Sequence, residues 1–266
     1  VVSMKTIAVI FGSRSTEHDV SIVTAISSII KPLELSGEYQ VEPVYIAKDG
    51  SWYWDQRLKD IRLYQGDELE DFLRKAPKVH LLFDNGLTLV KSSQFAGRKA
   101  YKKIDVVFPA THGTHGEDGE LMGVLEMAGV PYVGCGVSAS AIAMDKVLAK
   151  LIAEAHGIQT PKMKFISTKE LERDSEKFLT AVNDSLRYPL FVKPAHLGSS
   201  IGITKVDEPK DLINALEIAA HYDTKVLVEE GVHNLIEVTV PIIGNDVLTT
   251  ALVEQPLSKE DGVFDF

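Results

Sequence analysis

His112-Gly113-Thr114-His115-Gly116-Glu117-Asp118-Gly119 follows an apolar run, Ile104-Asp105-Val106-Val107-Phe108-Pro109-Ala110. It precedes a helical pattern, Glu120-Leu121-Met122-Gly123-Val124-Leu125-Glu126-Met127-Ala128. Strand, glycine-rich turn, helix: this order points to an α/β fold with a parallel sheet. The turn falls at a strand's carboxyl end, where open α/β sheets bind small molecules. Its glycines let main-chain amides approach a ligand closely, and a helix start offers free N–H groups to an anion. Taken alone, the same turn serves as a plain tight connection as readily as a site.

Working outward, strand-like and helix-like segments alternate. Ile7-Ala8-Val9-Ile10-Phe11, ended by Gly12, reads as a buried parallel strand. A helix is expected over Asp19–Ile30, with Val20, Val23, Ile26 and Ile30 on its apolar stripe and Pro32 at its end. Val41–Ile46 and Val106–Phe108 read as further strands, and Lys48–Arg98 as irregular, with Trp52 and Trp54 alternating as in a short packed strand. One long helix is expected from Ser138, as N-cap, to His156, with Gly157 at C′. Strands follow at Pro161–Ile166 and Pro189–Pro194, the latter paired with Ile201–Val206 across a glycine-serine loop. Asp211–His221 is helical, with Leu212, Ala215, Leu216 and Ala219 on one face, and Val226–Glu229 and Glu237–Ile243 are strands.

The 266 residues suggest two domains. A net charge of −10 argues against nucleic acid as partner, which calls for a basic footprint. One cysteine excludes an intrachain disulfide framework and fits a reducing, cytoplasmic setting. Cys135 reads as a small buried hydrophobe. No apolar run approaches membrane-spanning length. The beginning of the chain does not read as a signal peptide, and Met4 reads as the native start with Val1–Ser3 a remnant.

Four segments carry candidate chemistry. In Lys193-Pro194-Ala195-His196-Leu197-Gly198-Ser199-Ser200-Ile201-Gly202 a lysine ends an apolar strand. The small and hydroxyl residues after it can place donors around phosphate oxygens, beside the lysine's point charge. The bland alternative is a hairpin turn with a solvated lysine. No GxxxxGK[ST] exists, so this is not a P-loop. Lys146, in Met144-Asp145-Lys146, is placed on the Ser138 helix, where most lysines are only solvated. Gly12-Ser13-Arg14-Ser15-Thr16-Glu17-His18-Asp19 is not GxGxxG. It reads at least as a helix start, capped by Ser15 or Thr16, with an acidic first turn. Val226-Leu227-Val228-Glu229-Glu230-Gly231-Val232 ends a strand in two carboxylates. For metal ligands the visible chain offers no convincing spacing, and His112 with His115 is too thin for zinc.

The spacing HGxxGEDGxxxG at His112–Gly123 resembles the signature of D-alanine–D-alanine ligases, of the ATP-grasp superfamily, and the resemblance extends over essentially the whole chain. It implies an N-terminal doubly wound parallel-sheet domain over residues 1–136. An α+β ATP-grasp portion would follow, as a central subdomain over 137–224 and the start of a C-terminal one over 225–266. It implies that Glu17 binds the ammonium of the first D-alanine, that His112 lies near the ligand carboxylates, and that Ser199 orients a hydrogen-bonded triad at the substrate. Lys146 and Lys193, with Ser199 and Ser200, would hold ATP phosphates. Glu229 would bind the adenine amine, main chain near Glu230 and Val232 the ring edge, and Glu237 the ribose. The implied reaction joins two D-alanines through an acyl phosphate for peptidoglycan, using ATP with Mg2+ or Mn2+, in a cytoplasmic homodimer. Met122 stands where the family commonly has Gln, and Gly231 where a bulky aromatic is frequent. The resemblance also implies that Asp261–Phe266 begins a mobile loop and that the metal ligands lie beyond Phe266. Two other readings remain: a D-alanine–D-lactate or D-alanine–D-serine ligase, and a nucleotide-binding module without ligase activity.

Overall fold

A computed structural model describes residues 4–92 and 99–256. The expectations for Val1–Ser3 and for Asp261–Phe266 lie outside the described residues. The chain divides into two compact units, Val1–Ile152 and Ala153–Phe266.

The first unit is built on β1 (Lys5–Gly12), β2 (Tyr39–Ile46), β3 (Trp52–Trp54) and β7 (Val106–Pro109), in sheet order β3-β2-β1-β7. β1 runs parallel to both β2 and β7, and β3 adds an antiparallel edge. Strand alternation splits β1 between two cores. Ile7, Val9 and Phe11 pack with Ile22, Ala25, Ile26 and Ile30 on one face. Ala8 and Ile10 pack with Leu121, Met122, Leu125 and Ala128 on the other. Burying each Ile, Val, Leu, Met or Phe among them contributes roughly 1.5–3 kcal/mol, so the sheet is the fixed frame of this unit.

Between β1 and β2 the chain is helical throughout: α1 (His18–Val23), a π-type segment (Thr24–Ile30) and α2 (Lys31–Ser36). Pro32 therefore does not end the helix. Lys31 N–H donates to Ile26 O, a five-residue step, and this wider turn accommodates the ring and the missing donor. The helix stops at Gly37, in the left-handed region with φ 67°. The wide turn also shifts the buried stripe. Ile22, Ala25, Ile26 and Ile30 are buried, whereas Val20 and Val23 are exposed. The cap is Glu17, with no side-chain cap bond, and Ser15 Oγ accepts the Glu17 N–H at 3.1 Å.

Lys48–Arg98 is ordered where described, contrary to the irregular reading. It holds β3, where Trp52 and Trp54 alternate as expected, α3 (Glu68–Lys75), β4 (Val79–Phe83) and β5 (Leu87–Ser92). With β6 (Lys99–Ile104), β4 and β5 form an antiparallel meander. The turn into β5 is made by Asn85 and Gly86, both at positive φ.

After β7 come α4 (Glu120–Ala128), α5 (Val137–Met144) and α6 (Lys146–Ala155). The single long helix is thus two helices. Asp145 is extended (φ −84°, ψ 101°) and buried, and its Oδ1 accepts N–H groups of Val147 at 2.9 Å and Leu148 at 3.2 Å. The N-cap of α5 is Gly136 rather than Ser138. Gly157 has φ 76°, as a C′ residue should. Cys135 is exposed, not buried, between Gly134 and Gly136.

The second unit carries β8 (Met163–Ser167), α7 (Thr168–Arg173), α8 (Ser175–Ser185), β9 (Leu190–Pro194), β10 (Thr204–Val206), α9 (Leu212–Tyr222) and β11 (Lys225–Glu230). Its sheet is antiparallel, in order β10-β9-β11-β8. One face packs Ile166, Leu190, Val192, Val206, Val226 and Val228 against α8 and α9, with Leu212, Ala215, Leu216 and Ala219 of α9 buried as the sequence indicates. Alternation puts Phe191, Lys193, Leu227 and Glu229 on the opposite face. The strand expected over Glu237–Ile243 is confined to β12 (Ile242–Ile243), paired with β13 (Thr249–Thr250) and fully exposed, so no core enforces a longer ladder. Among the described residues no helix is long and apolar enough to cross a membrane.

Candidate functional site

In the first unit the chain leaves β1 for β2 on one side and returns as β7 on the other. The carboxyl ends of β1 and β7 therefore flank a topological switch point. Ser21, fully buried on α1, staples the two ends: its Oγ accepts Gly12 N–H and donates to Ala110 O, both at 2.7 Å. The loop after β1 delivers Glu17, which is buried, and the loop after β7 delivers His112–Gly119. The two meet at Gly113. A Cβ there would lie 2.4 Å from Glu17 Oε2 and 2.6 Å from Ser15 Oγ, and its φ is +69°. Only glycine allows this approach.

The glycine loop is built from its own acids. Gly113 N–H donates to Glu117 Oε2 at 2.7 Å, and Glu117 N–H returns to Gly113 O at 2.8 Å. Asp118 accepts the N–H groups of His115 at 2.6 Å and Glu120 at 3.1 Å. Glu117 and Asp118 are thus scaffold for the turn. His112 Nε2 lies 3.0 Å from Thr24 Oγ1, on the π-type segment. His18, next to Glu17, is buried, with Nδ1 2.6 Å from Ser13 O and Nε2 3.0 Å from Tyr45 Oη. Burial pushes its imidazole below the usual range, against the opposing Ser13 carbonyl and Asp19, with Lys48 adding to the lowering. The neutral ring donates from Nδ1 to the carbonyl and accepts the Tyr45 hydroxyl at Nε2. Burial first, then nearby acids, raise the Tyr45 pKa, so the hydroxyl keeps its proton. One group of metal-ligand type occurs among the described residues: His115, Asp118 and Glu120, with ligand atoms within 4.8 Å of one another. It closes on itself through a 2.5 Å His115 Nδ1–Glu120 Oε2 contact. A spacing that winds through a turn hid it from the sequence reading.

Lys146 is the first residue of α6, set there by the Asp145 cap rather than carried mid-helix.

In the second unit Lys193 Nζ pairs with Glu229 Oε1 on the open face of the sheet. The two side chains are 22% and 9% exposed, so this pair is largely desolvated. Phe191 lies beneath Lys193, with Nζ 5.6 Å from the ring centroid. Glu230 Oε1 accepts Arg187 N–H at 3.0 Å, its own N–H goes to Lys162 O, and Gly231 N–H goes to Pro189 O at 2.8 Å. A Cβ on Gly231 would meet Pro189 O at 3.1 Å and Phe191 Cε2 at 3.2 Å, so a larger residue would need its neighbours to give way. Ser199 (φ 48°) and Ser200 (φ 55°) are consecutive left-handed residues in the loop between β9 and β10. Ile201 N–H closes this turn on Gly198 O, and Ile203 N–H donates to Ser200 O, both at 3.2 Å. Val232 and Glu237 are exposed, outside any strand. Within the first unit, then, the structure brings together Glu17 and the His112 loop. Within the second it brings together Lys193 and Glu229.

The D-ala D-ala ligase N-terminus family model matches residues 6–135, and the D-ala D-ala ligase C-terminus model matches residues 152–266. The chain belongs to the D-alanine–D-alanine ligase family. It is 41% identical over 252 residues to a D-alanine–D-alanine ligase of Acetivibrio thermocellus, covering 91% of this chain and 65% of that protein. Among solved structures it is similar to the VanG D-Ala:D-Ser ligase from Enterococcus faecalis (TM-score 0.79, 32% identity, 95% of this chain and 70% of that one). It is also similar to D-alanyl-alanine synthetase A from Vibrio cholerae (TM-score 0.77, 29% identity, 98% and 69%). The ligase-family chain spans about 65% of the length of the first curated relatives it matches.

Ser21, Thr24 and Asp145 hold these parts in place, and their positions carry no motif of their own. A serine four residues beyond Glu17 is the one local signal that pointed inward.

Proposed function

We propose that the protein joins two D-alanines to D-Ala-D-Ala, coupled to ATP hydrolysis, as a cytoplasmic step in making peptidoglycan precursors. The observation that carries this reading is the buried Glu17 carboxylate held against Gly113 at the switch point, a ready counter-charge for an amino-acid ammonium. ATP supplies a phosphoryl group that converts the first D-alanine carboxylate to an acyl phosphate, which the second amine attacks with loss of phosphate. The chain's own work is positioning and charge neutralisation. Glu17 anchors the first amino acid, and His112 stands by the carboxylates. Lys146 and Lys193 neutralise phosphate oxygens. Ser199 and Ser200 add donors, Ser199 also on the substrate side. Glu229 accepts from the adenine amine. With the Glu230 and Gly231 N–H groups committed to the chain, the ring edge falls to main chain at Val232, and Glu237 holds the ribose. Lys193 and Glu229 pair with each other on the sheet face, and nucleotide would redirect the lysine to phosphate and the carboxylate to the amine.

Mg2+ or Mn2+ would accompany the triphosphate. The His115, Asp118 and Glu120 group is engaged in its own turn and does not supply such ligands, so no step is assigned through it. The division into 1–136, 137–224 and 225–266, and a homodimer, belong to the same proposal. The likeness to a D-Ala:D-Ser ligase keeps D-serine as the alternative second substrate.

In Glu17→Gln the D-alanine KM should rise at least tenfold, an effect of about 1.4 kcal/mol or more, while the ATP KM changes little. Equal increases in both would defeat the role of Glu17.

A further inference from the structure

The loop between β9 and β10 covers residues 195–203 and carries Ser199 and Ser200. Its two ends converge on the corner between α9 and β11. At the first end, Ala195 N–H donates to Lys225 O at 3.0 Å. The next residue, His196, gives both its main-chain N–H and its ring to one carboxylate. His196 N is 2.7 Å from Asp223 Oδ2, and Nδ1 is 2.9 and 3.1 Å from the two oxygens. Asp223 also accepts Lys225 N–H at 3.2 Å, and its side chain is 7% exposed. Burial alone would raise the Asp223 carboxyl. The His196 ring, with the His196 and Lys225 N–H groups, outweighs burial and holds it below the usual carboxylate range. At the second end, Gly202 (φ +71°) lies so close to Pro194 and Tyr222 that a Cβ would be 2.8 Å from Pro194 Cγ and 2.9 Å from Tyr222 Cδ2. Tyr222 directly precedes Asp223.

We infer that Asp223, with His196 as its partner, is a positioning residue for the 195–203 loop. It fixes where the loop leaves the sheet, and thereby the placement of Ser199 and Ser200 over the nucleotide phosphates. This rests on the nucleotide reading above. Asp223 touches no reacting atom. It acts through the main chain of His196 as well as its ring, which is why a carboxylate with several acceptor sites stands there.

The test uses MgATP binding together with hydrogen exchange of the loop amides, in the protein and in three variants. In Asp223→Ala the loop amides should exchange faster even without nucleotide, and MgATP affinity should fall about tenfold, as for loss of a charge-assisted anchor. His196→Ala keeps the main-chain bond to Asp223 and should lose about threefold or less. Val182→Ala, on the buried face of α8, controls for stability: it should lower Tm comparably and leave MgATP affinity unchanged. Native exchange and affinity in Asp223→Ala would overturn the inference, and so would a loss of affinity in Val182→Ala in proportion to Tm. If the unmodified protein bound no MgATP, the nucleotide reading would fail, and the inference would fail with it as stated. Faster exchange in Asp223→Ala would then report an anchor alone.

Discussion

The loop from β7 to α4 and the loop from β9 to β10 are of similar length and both rich in glycine and small polar residues, yet they are held by different means. The first carries its own scaffold: Glu117 and Asp118 bind main-chain N–H groups of Gly113, His115 and Glu120 within the same stretch. The second borrows its scaffold from Asp223, at a corner far along the chain. The first loop finds most of its main-chain partners within itself, with Ser21 and Thr24 holding its start, whereas the second depends on the packing of the sheet and α9. The first suits a preformed pocket for a small charged group, and the second suits a cover set over a larger ligand.

The largest expected effect breaks the preformed loop. Gly113→Ala forces a Cβ onto the Glu17 carboxylate at a left-handed position, and should cost about 2–3 kcal/mol of stability. It should also lower D-alanine-dependent turnover by about 100-fold or more, the larger part of it through displaced geometry. Near-native turnover would show that Gly113 and Glu17 do not form one pocket. Next is Lys193→Ala, which removes a point charge from the second region and one partner of the buried Glu229 carboxylate. MgATP affinity should fall about 10–100-fold, with a stability loss of about 1–3 kcal/mol. Unchanged affinity would take Lys193 out of the site.

A smaller effect is pH-dependent. The folded protein holds His18 below the ordinary value of 6.5, so the unfolded chain takes up its proton first as pH falls. The stability contributed by neutral His18 is therefore complete above about pH 6.5 and declines below it. Denaturant midpoints of the protein should fall between pH 7 and 5, and less steeply in His18→Gln. Identical slopes would contradict a buried neutral ring. The smallest effect compares two caps. Ser138→Ala should stay within about 0.5 kcal/mol, because α5 has no side-chain cap bond, whereas Asp145→Ala should cost about 1–2 kcal/mol. The reverse order would restore a single long helix.

The same contrast explains what the sequence could reveal. β1, β2, β7, α9 and the glycine loop were legible because their signals are local: continuous apolar runs, helical spacing, and glycines beside the acids that bind them. Glu17 and the His112 loop were linked through the family resemblance, since no local spacing joins residues so far apart in the chain. The break at Asp145 was not legible, since Met-Asp-Lys within an alanine-rich stretch is compatible with continuous helix, and the break depends on burial of the carboxylate. Pro32 misled because the wide turn ahead of it removes its usual penalty. The meander was missed although Asn85-Gly86 between two alternating runs is a hairpin signal. Cys135 was placed by composition, which says nothing of a glycine-flanked surface turn. Asp223 carries no motif, and only the packing of α9 and β11 brings it to His196.

The most direct test of the proposed function is phosphate release from ATP, with and without D-alanine, on the protein, with the product identified by mass. The account predicts D-alanine-dependent release with D-Ala-D-Ala formed in equal amount. ATP bound but no D-alanine-dependent release and no dipeptide would contradict it, and would leave a member of the ligase family that holds nucleotide without joining amino acids.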